Sequence, residues 1–181
     1  LAAFARAQGC PVWIGRCAPD ALAPVYSPWI QLLGSAHRHG SGPKRQLRSL
    51  LARLSARTGE AGVDGRDAAL GQLSLFEAVG RWMNEFSRPT PVVLVLEDLH
   101  WADQGTLELL GFVAAELTKT RALLLAASRH VLSGRAAELV RDVERFDLGP
   151  LSVDEVATYV RMQTEGTPPA PELCEALHRV S

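Results

Sequence analysis

Five consecutive apolar residues, Val92-Val93-Leu94-Val95-Leu96, lie between Pro91 and the acidic pair Glu97-Asp98. A run without polar alternation fits a strand covered on both faces, as in the parallel sheets of α/β folds. Two more runs read the same way: Val12-Trp13-Ile14 near the start, and Ala122-Leu123-Leu124-Leu125-Ala126-Ala127 later on. Helical patterns separate them. One runs from Trp29 to about His37, and another, basic on its polar face, from Lys44 to about Arg57. In a third, Leu73, Phe76, Val79, Met83 and Phe86 recur at spacings of three and four, which puts them on one face against a core. Further helices are expected over Gln104 to Thr118 and Arg135 to Val140, with a short strand near Arg145 to Leu148. Strands alternating with helices imply an α/β fold, a parallel sheet with helices on both faces.

The turn-rich stretch 19–28, the Gly/Pro segment 39–43 and the glycine-containing stretch 58–65 read as loops. Pro150 closes the alternating part, and Ser152-Val153-Asp154-Glu155 has the spacing of a capping box. The expected division is therefore a core over 1–150 and a helical appendage over 151–181. A chain of 181 residues that is 47% apolar and 22% charged is long enough for a sizeable core and unlike a disordered segment. Nineteen basic and 20 acidic residues leave a formal net charge of −1, which argues against a dominant nucleic-acid surface. Cys10, Cys17 and Cys174 form neither a C-x-x-C pair nor an even set, so no zinc site or disulfide framework is signalled. No membrane span or charged-then-apolar leader is evident, so a reducing cytoplasm is the expected setting. The opening Leu1-Ala2-Ala3-Phe4-Ala5-Arg6-Ala7, a helix already under way, and the stop at Ser181 both read as cuts from a larger protein.

In open α/β sheets ligands bind at the carboxyl ends of the strands, which is where Glu97 and Asp98 are delivered. Mg²⁺ favours carboxylate and water oxygens and keeps several waters while bridging to phosphates. Glu97 can hold such a hydrated ion, and Asp98 can orient or deprotonate an attacking water. A rival reading gathers Glu97, Asp98, His100 and Asp103 as the metal cluster of a hydrolase. His37, His39, His130 and His178 are scattered and form no second cluster to support it.

The phrase Val95-Leu96-Glu97-Asp98-Leu99-His100-Trp101-Ala102-Asp103 resembles the Walker B block, with its Leu-His-Trp-Ala-Asp extension, of AAA-like signal-transduction (STAND-type) P-loop ATPases. That family includes ATPase domains of large LuxR-type transcription regulators, cyclase-linked regulators and origin-recognition-like proteins. The similarity extends to Gly15-Arg16-Cys17, Tyr26-Ser27-Pro28-Trp29, Leu75-Phe76-Glu77-Ala78-Val79, Leu123-Leu124-Leu125-Ala126-Ala127-Ser128-Arg129 and Leu148-Gly149-Pro150-Leu151-Ser152. It implies a three-layer αβα P-loop core followed by the start of a helical lid, with ATP and Mg²⁺ as cofactors. By the resemblance Glu97 is the magnesium-side carboxylate, Asp98 the catalytic base that also faces the metal and nucleotide, and Arg129 the sensor of the terminal phosphate. The family more usually has two aspartates at the acid pair, and Asp98 has a shorter reach than the Glu of many AAA relatives, so slow hydrolysis is implied.

The phosphate cradle G-x-x-x-x-G-K-[ST] is missing, since neither Lys44 after Pro43 nor Lys119 after Thr118 fits it. In the family it precedes a helix like the one that opens this chain, so the first strand and cradle are expected to have been lost by truncation. The isolated chain is then expected to bind Mg-ATP poorly. The implied parent is an ATP-controlled switch that acts on its own output modules and is a candidate for nucleotide-dependent oligomerisation, with no nucleic acid or membrane bound by this segment. Two other parents stay open: a degenerate nucleotide-binding scaffold that never hydrolyses ATP, and a nucleotide cyclase carrying this segment as its regulatory part.

Overall fold

The structure, a computed structural model of the chain, describes residues 2–19, 23–38, 44–56, 65–132, 134–139, 141, 143–164 and 169–180. Segment 39–43 and most of 58–65, expected to be loops, lie outside the described residues. Two compact units are present, 1–143 and 144–181.

In the first unit the order is α1 (Ala2–Ala7), β1 (Val12–Arg16), α2 (Ser27–Arg38), α3 (Lys44–Ala56), α4 (Gly65–Ser87), β2 (Val92–Glu97), α5 (Gln104–Glu116), β3 (Ala122–Ala126) and α6 (Gly134–Leu139). The three strands form one parallel sheet in the order β1-β2-β3. Parallel neighbours need long crossovers, and here helices supply them. The α/β architecture expected from the unalternating runs is thus the one the chain adopts.

Strand geometry sends alternate side chains to opposite faces. On one face Trp13, Val92, Leu94 and Leu96 join the main core with Trp29, Leu32 and Leu33 of α2, Leu47 and Leu54 of α3, Leu75, Val79, Trp82 and Phe86 of α4, and Leu109 and Val113 of α5. Trp13 packs against both Trp82 and Phe86, with ring centroids 5.8 and 4.6 Å apart. On the other face Val12 and Val93, flanked by Ile14, Val95 and Leu125, meet Ala2 and Ala5 of α1. That second cover is thin, and Leu123 of β3 remains 48% exposed.

The periodic face of α4 holds for Phe76, Val79, Met83 and Phe86 and is completed by Leu75 and Trp82. Leu73 departs from it and is 49% exposed. At about 100° per residue it falls roughly 120° from the centre of that face. Buried residues of α2 fall at Trp29, Leu32, Leu33 and Ala36, and His37 and Arg38 in its last turn suit the negative end of the helix dipole.

The second unit contains α7 (Val153–Gln163) and α8 (Pro171–Val180), which pack together with Val156 and Cys174 buried. Ser152 caps α7 with both bonds of the capping box present: its hydroxyl accepts from the Glu155 amide, and the Glu155 carboxylate accepts from the Ser152 amide. The strand expected at Arg145 to Leu148 does not form; residues 144–150 are irregular. A strand exists through its ladder, and this segment joins none among the described residues, leaving Phe146 and Leu148 exposed while Arg145 pairs with Asp147. No helix among the described residues is long and apolar enough to cross a membrane.

Candidate functional site

Because the strands are parallel, their carboxyl ends share one edge of the sheet. The register sets Arg16 of β1 directly opposite Glu97 of β2. Past the strand ends the ladder continues: the Ala127 amide donates to the Leu96 carbonyl and the Leu99 amide to the Ala127 carbonyl, both at 2.9 Å. The segment after β2 therefore runs beside the segment after β3. Asp98 takes a left-handed backbone, φ 58° and ψ 42°, before a 3-10 turn over Leu99–Trp101. A non-glycine residue in that region is strained and persists only where its surroundings hold it. The holding contacts are the Leu99–Ala127 bond and the buried Leu99 side chain.

Asp103 closes this segment. Its side chain caps α5, accepting from the Thr106 amide at 2.8 Å and the Thr106 hydroxyl at 2.6 Å. It also accepts from the Tyr26 amide at 3.2 Å, tying the approach to α2 onto the start of α5. Tyr26, buried and itself left-handed at φ 64°, lies against Gly105, where a Cβ would stand 2.8 Å from the Tyr26 ring. The Trp29 indole donates to the Thr106 carbonyl at 3.2 Å. Asp103 is thus spent on backbone and hydroxyl donors.

Arg16 supplies the main charge partner of the acid pair. Its Nε and Nη2 donate to Glu97 Oε2 at 2.9 and 2.5 Å, and its Nε lies 3.7 Å from Asp98 Oδ2. The guanidinium pKa is raised, first by the hydrogen bond to Glu97 and then by the Glu97 charge, with a smaller contribution from Asp98. Its backbone is fixed on the outer side of the edge strand: the Arg16 amide donates to Gln31 Oε1 at 3.0 Å, and Gln31 Nε2 donates to the Arg16 carbonyl at 3.1 Å. This side-chain amide occupies the edge that a further strand would otherwise use. Gly15 lets α2 come this close, since a Cβ there would lie 2.0 Å from the Pro28 carbonyl oxygen. The neighbouring Cys17 is buried, and burial, with the Asp103 and Asp98 charges, pushes its thiol up to about 11.

Of the residues picked from sequence, Glu97 and Asp98 stand together at the strand end. Arg129 lies in the adjoining segment, where its backbone amide donates to His100 Nδ1 at 3.4 Å. Among the described residues no hydrogen bond or ion pair joins the Arg129 side chain to Glu97 or Asp98. His100 faces Trp101 and His130, with ring centroids 5.2 and 5.6 Å away. Trp101 itself is 52% exposed. The rival metal cluster is not assembled: no group of three or more His, Cys, Asp or Glu able to hold a metal occurs among the described residues. Two part-exposed carboxylates are a donor set suited to an ion that keeps most of its waters, as Mg²⁺ does, and poor for one needing a protein cage. Sequence reading did not single out Arg16 or Gln31; the one local signal was Gly15-Arg16 after an apolar run, and its meaning depends on the register.

Comparison with known proteins agrees with this geometry. The family model described as AAA ATPase domain matches residues 1–126, which include all three strands, the acid pair and its extension. No curated protein and no solved structure matches the chain. An AAA ATPase domain implies ATP and, typically, Mg²⁺, so the chain is a nucleotide-binding, ATPase-like module. With more than half of its length matched, the chain belongs to the AAA ATPase domain family.

Proposed function

We propose that Glu97 and Asp98 form the cation side of an ATP site in a regulatory switch of the STAND type, and that the site is completed by a phosphate cradle outside this chain. The observation that carries the reading is the acid pair at the carboxyl edge of a parallel sheet, with Asp98 in a left-handed conformation. Mg²⁺, when bound, neutralises phosphate charge. Glu97 would hold it, and Asp98 would orient the attacking water and take its proton. Arg129, in the segment laced to the acid loop through Ala127 and His100, reads the terminal phosphate. The segment 151–181, whose helices α7 and α8 lie in the unit over 144–181, would be the start of a helical lid after a core over 1–150. Occupancy of the site by ATP then sets whether output modules of the same protein are free to act, in the manner of γ-phosphate switches. Among the described residues no strand pairs with the outer edge of β3, and that edge with the half-exposed Leu123 is compatible with a further strand leading into such a cradle.

The second reading, a degenerate nucleotide-binding scaffold that does not hydrolyse ATP, differs from the first in lacking turnover. Calorimetric titration of Mg-ATP into this chain and into the complete product of its gene separates the two. Binding by the complete protein alone, with release of phosphate from ATP, supports the switch, and binding without release supports the scaffold. Absence of binding in both supports the scaffold.

A further inference from the structure

Arg16 stands where a cation would. Both of its bonds to Glu97 converge on a single oxygen, Oε2, and the same guanidinium faces Asp98 Oδ2 at 3.7 Å. Its placement is built rather than incidental: the parallel register sets its Cα opposite Glu97, Gln31 holds its amide and carbonyl, and Gly15 admits α2 against the strand. The side chain itself is 66% exposed, whereas those of Glu97 and Asp98 are 32% and 33% exposed. The backbone is pinned and the charged end is free to leave. We propose that Arg16 is the resident counter-ion of the Glu97–Asp98 pair, which a divalent cation must displace to bind there. This rests on the reading of the acid pair as the cation side of the site and adds a control to it.

The reasoning is electrostatic. A carboxylate oxygen already accepting two charged donors has little lone-pair capacity left for a metal or its water. A guanidinium and a divalent ion on the same acids also repel each other. Cation binding is therefore an exchange in which the two bonds from Arg16 to Glu97 Oε2 break and Arg16 turns to solvent. An exposed ion pair contributes little to stability, so its removal leaves the fold intact while relieving the competition.

The test uses Mn²⁺ as the probe, with free ion counted by its electron paramagnetic resonance signal as it is titrated into the chain. Arg16→Ala and Arg16→Gln are expected to bind about three- to tenfold more tightly than the wild type, with thermal midpoints unchanged. Arg81→Ala removes the same charge from an arginine paired with Glu77 on α4 and is expected to change nothing. Glu97→Gln added to Arg16→Ala should abolish the gain. Equal affinity in wild type and Arg16→Ala, with Glu97→Gln weakening both, overturns the counter-ion and leaves the acid-pair reading standing. No binding in either protein overturns the counter-ion, and a gain that survives Glu97→Gln overturns both.

Discussion

Gly15, Asp103 and Cys17 surround the acid pair without belonging to it, and each makes a distinct demand. Alanine at Gly15 would put a Cβ 2.0 Å from the Pro28 carbonyl, so the first turn of α2 must retreat. Gly15→Ala is expected to cost about 1–3 kcal/mol in urea unfolding, as overpacking does. Asp103→Ala removes the cap of α5 and the acceptor for the Tyr26 amide together. A loss of about 1–2 kcal/mol is expected, with Asp103→Asn milder, by the same measurement. Cys17, with its thiol raised to about 11 and its side chain buried, should stay unlabelled by a maleimide at pH 7 long after partly exposed Cys10 has reacted. At this scale the acids were legible in the sequence because strand run, acid pair and extension are contiguous from residue 92 to 103. Arg16 was not, because its partner lies 81 positions away and only the register joins them.

Among the elements, buried strands and capped helices announced themselves, and marginal ones did not. The run over 92–96 became β2 with Glu97 as its last residue, and the capping box at Ser152 formed as its spacing requires. Arg145 to Leu148 alternates polar and apolar residues as a strand can, yet a ladder needs a neighbour, and sequence pattern cannot supply one. Leu73 misled in a related way: an apolar residue near a periodic face need not lie inside it. For α7, the Ser152 backbone amide and then its hydroxyl lower the Glu155 pKa below the ordinary 4.5. A carboxyl with a depressed folded pKa contributes stability above its unfolded pKa and loses it as pH falls through the folded value. Amide exchange at the first turn of α7 should therefore speed up, relative to the rest of that helix, once the pH is taken below about 4.5, and Ser152→Ala should remove the difference.

Over the whole molecule, the α/β class followed from three unalternating runs separated by helical patterns, and the sheet joins all three in parallel. What pattern could not give was strand order and register, which depend on contacts between distant segments. Those contacts place Glu97 and Asp98 beside the segment carrying Arg129 and opposite Arg16, and so give the acid pair a cationic neighbour that the sequence alone does not show. The most direct test of the acid pair as the cation side of an ATP site is the Mg²⁺ dependence of ATP affinity in the complete protein, titrated calorimetrically for wild type and Glu97→Gln. The account predicts that affinity rises with Mg²⁺ in the wild type and that Glu97→Gln flattens that dependence. An unchanged dependence in Glu97→Gln would contradict it.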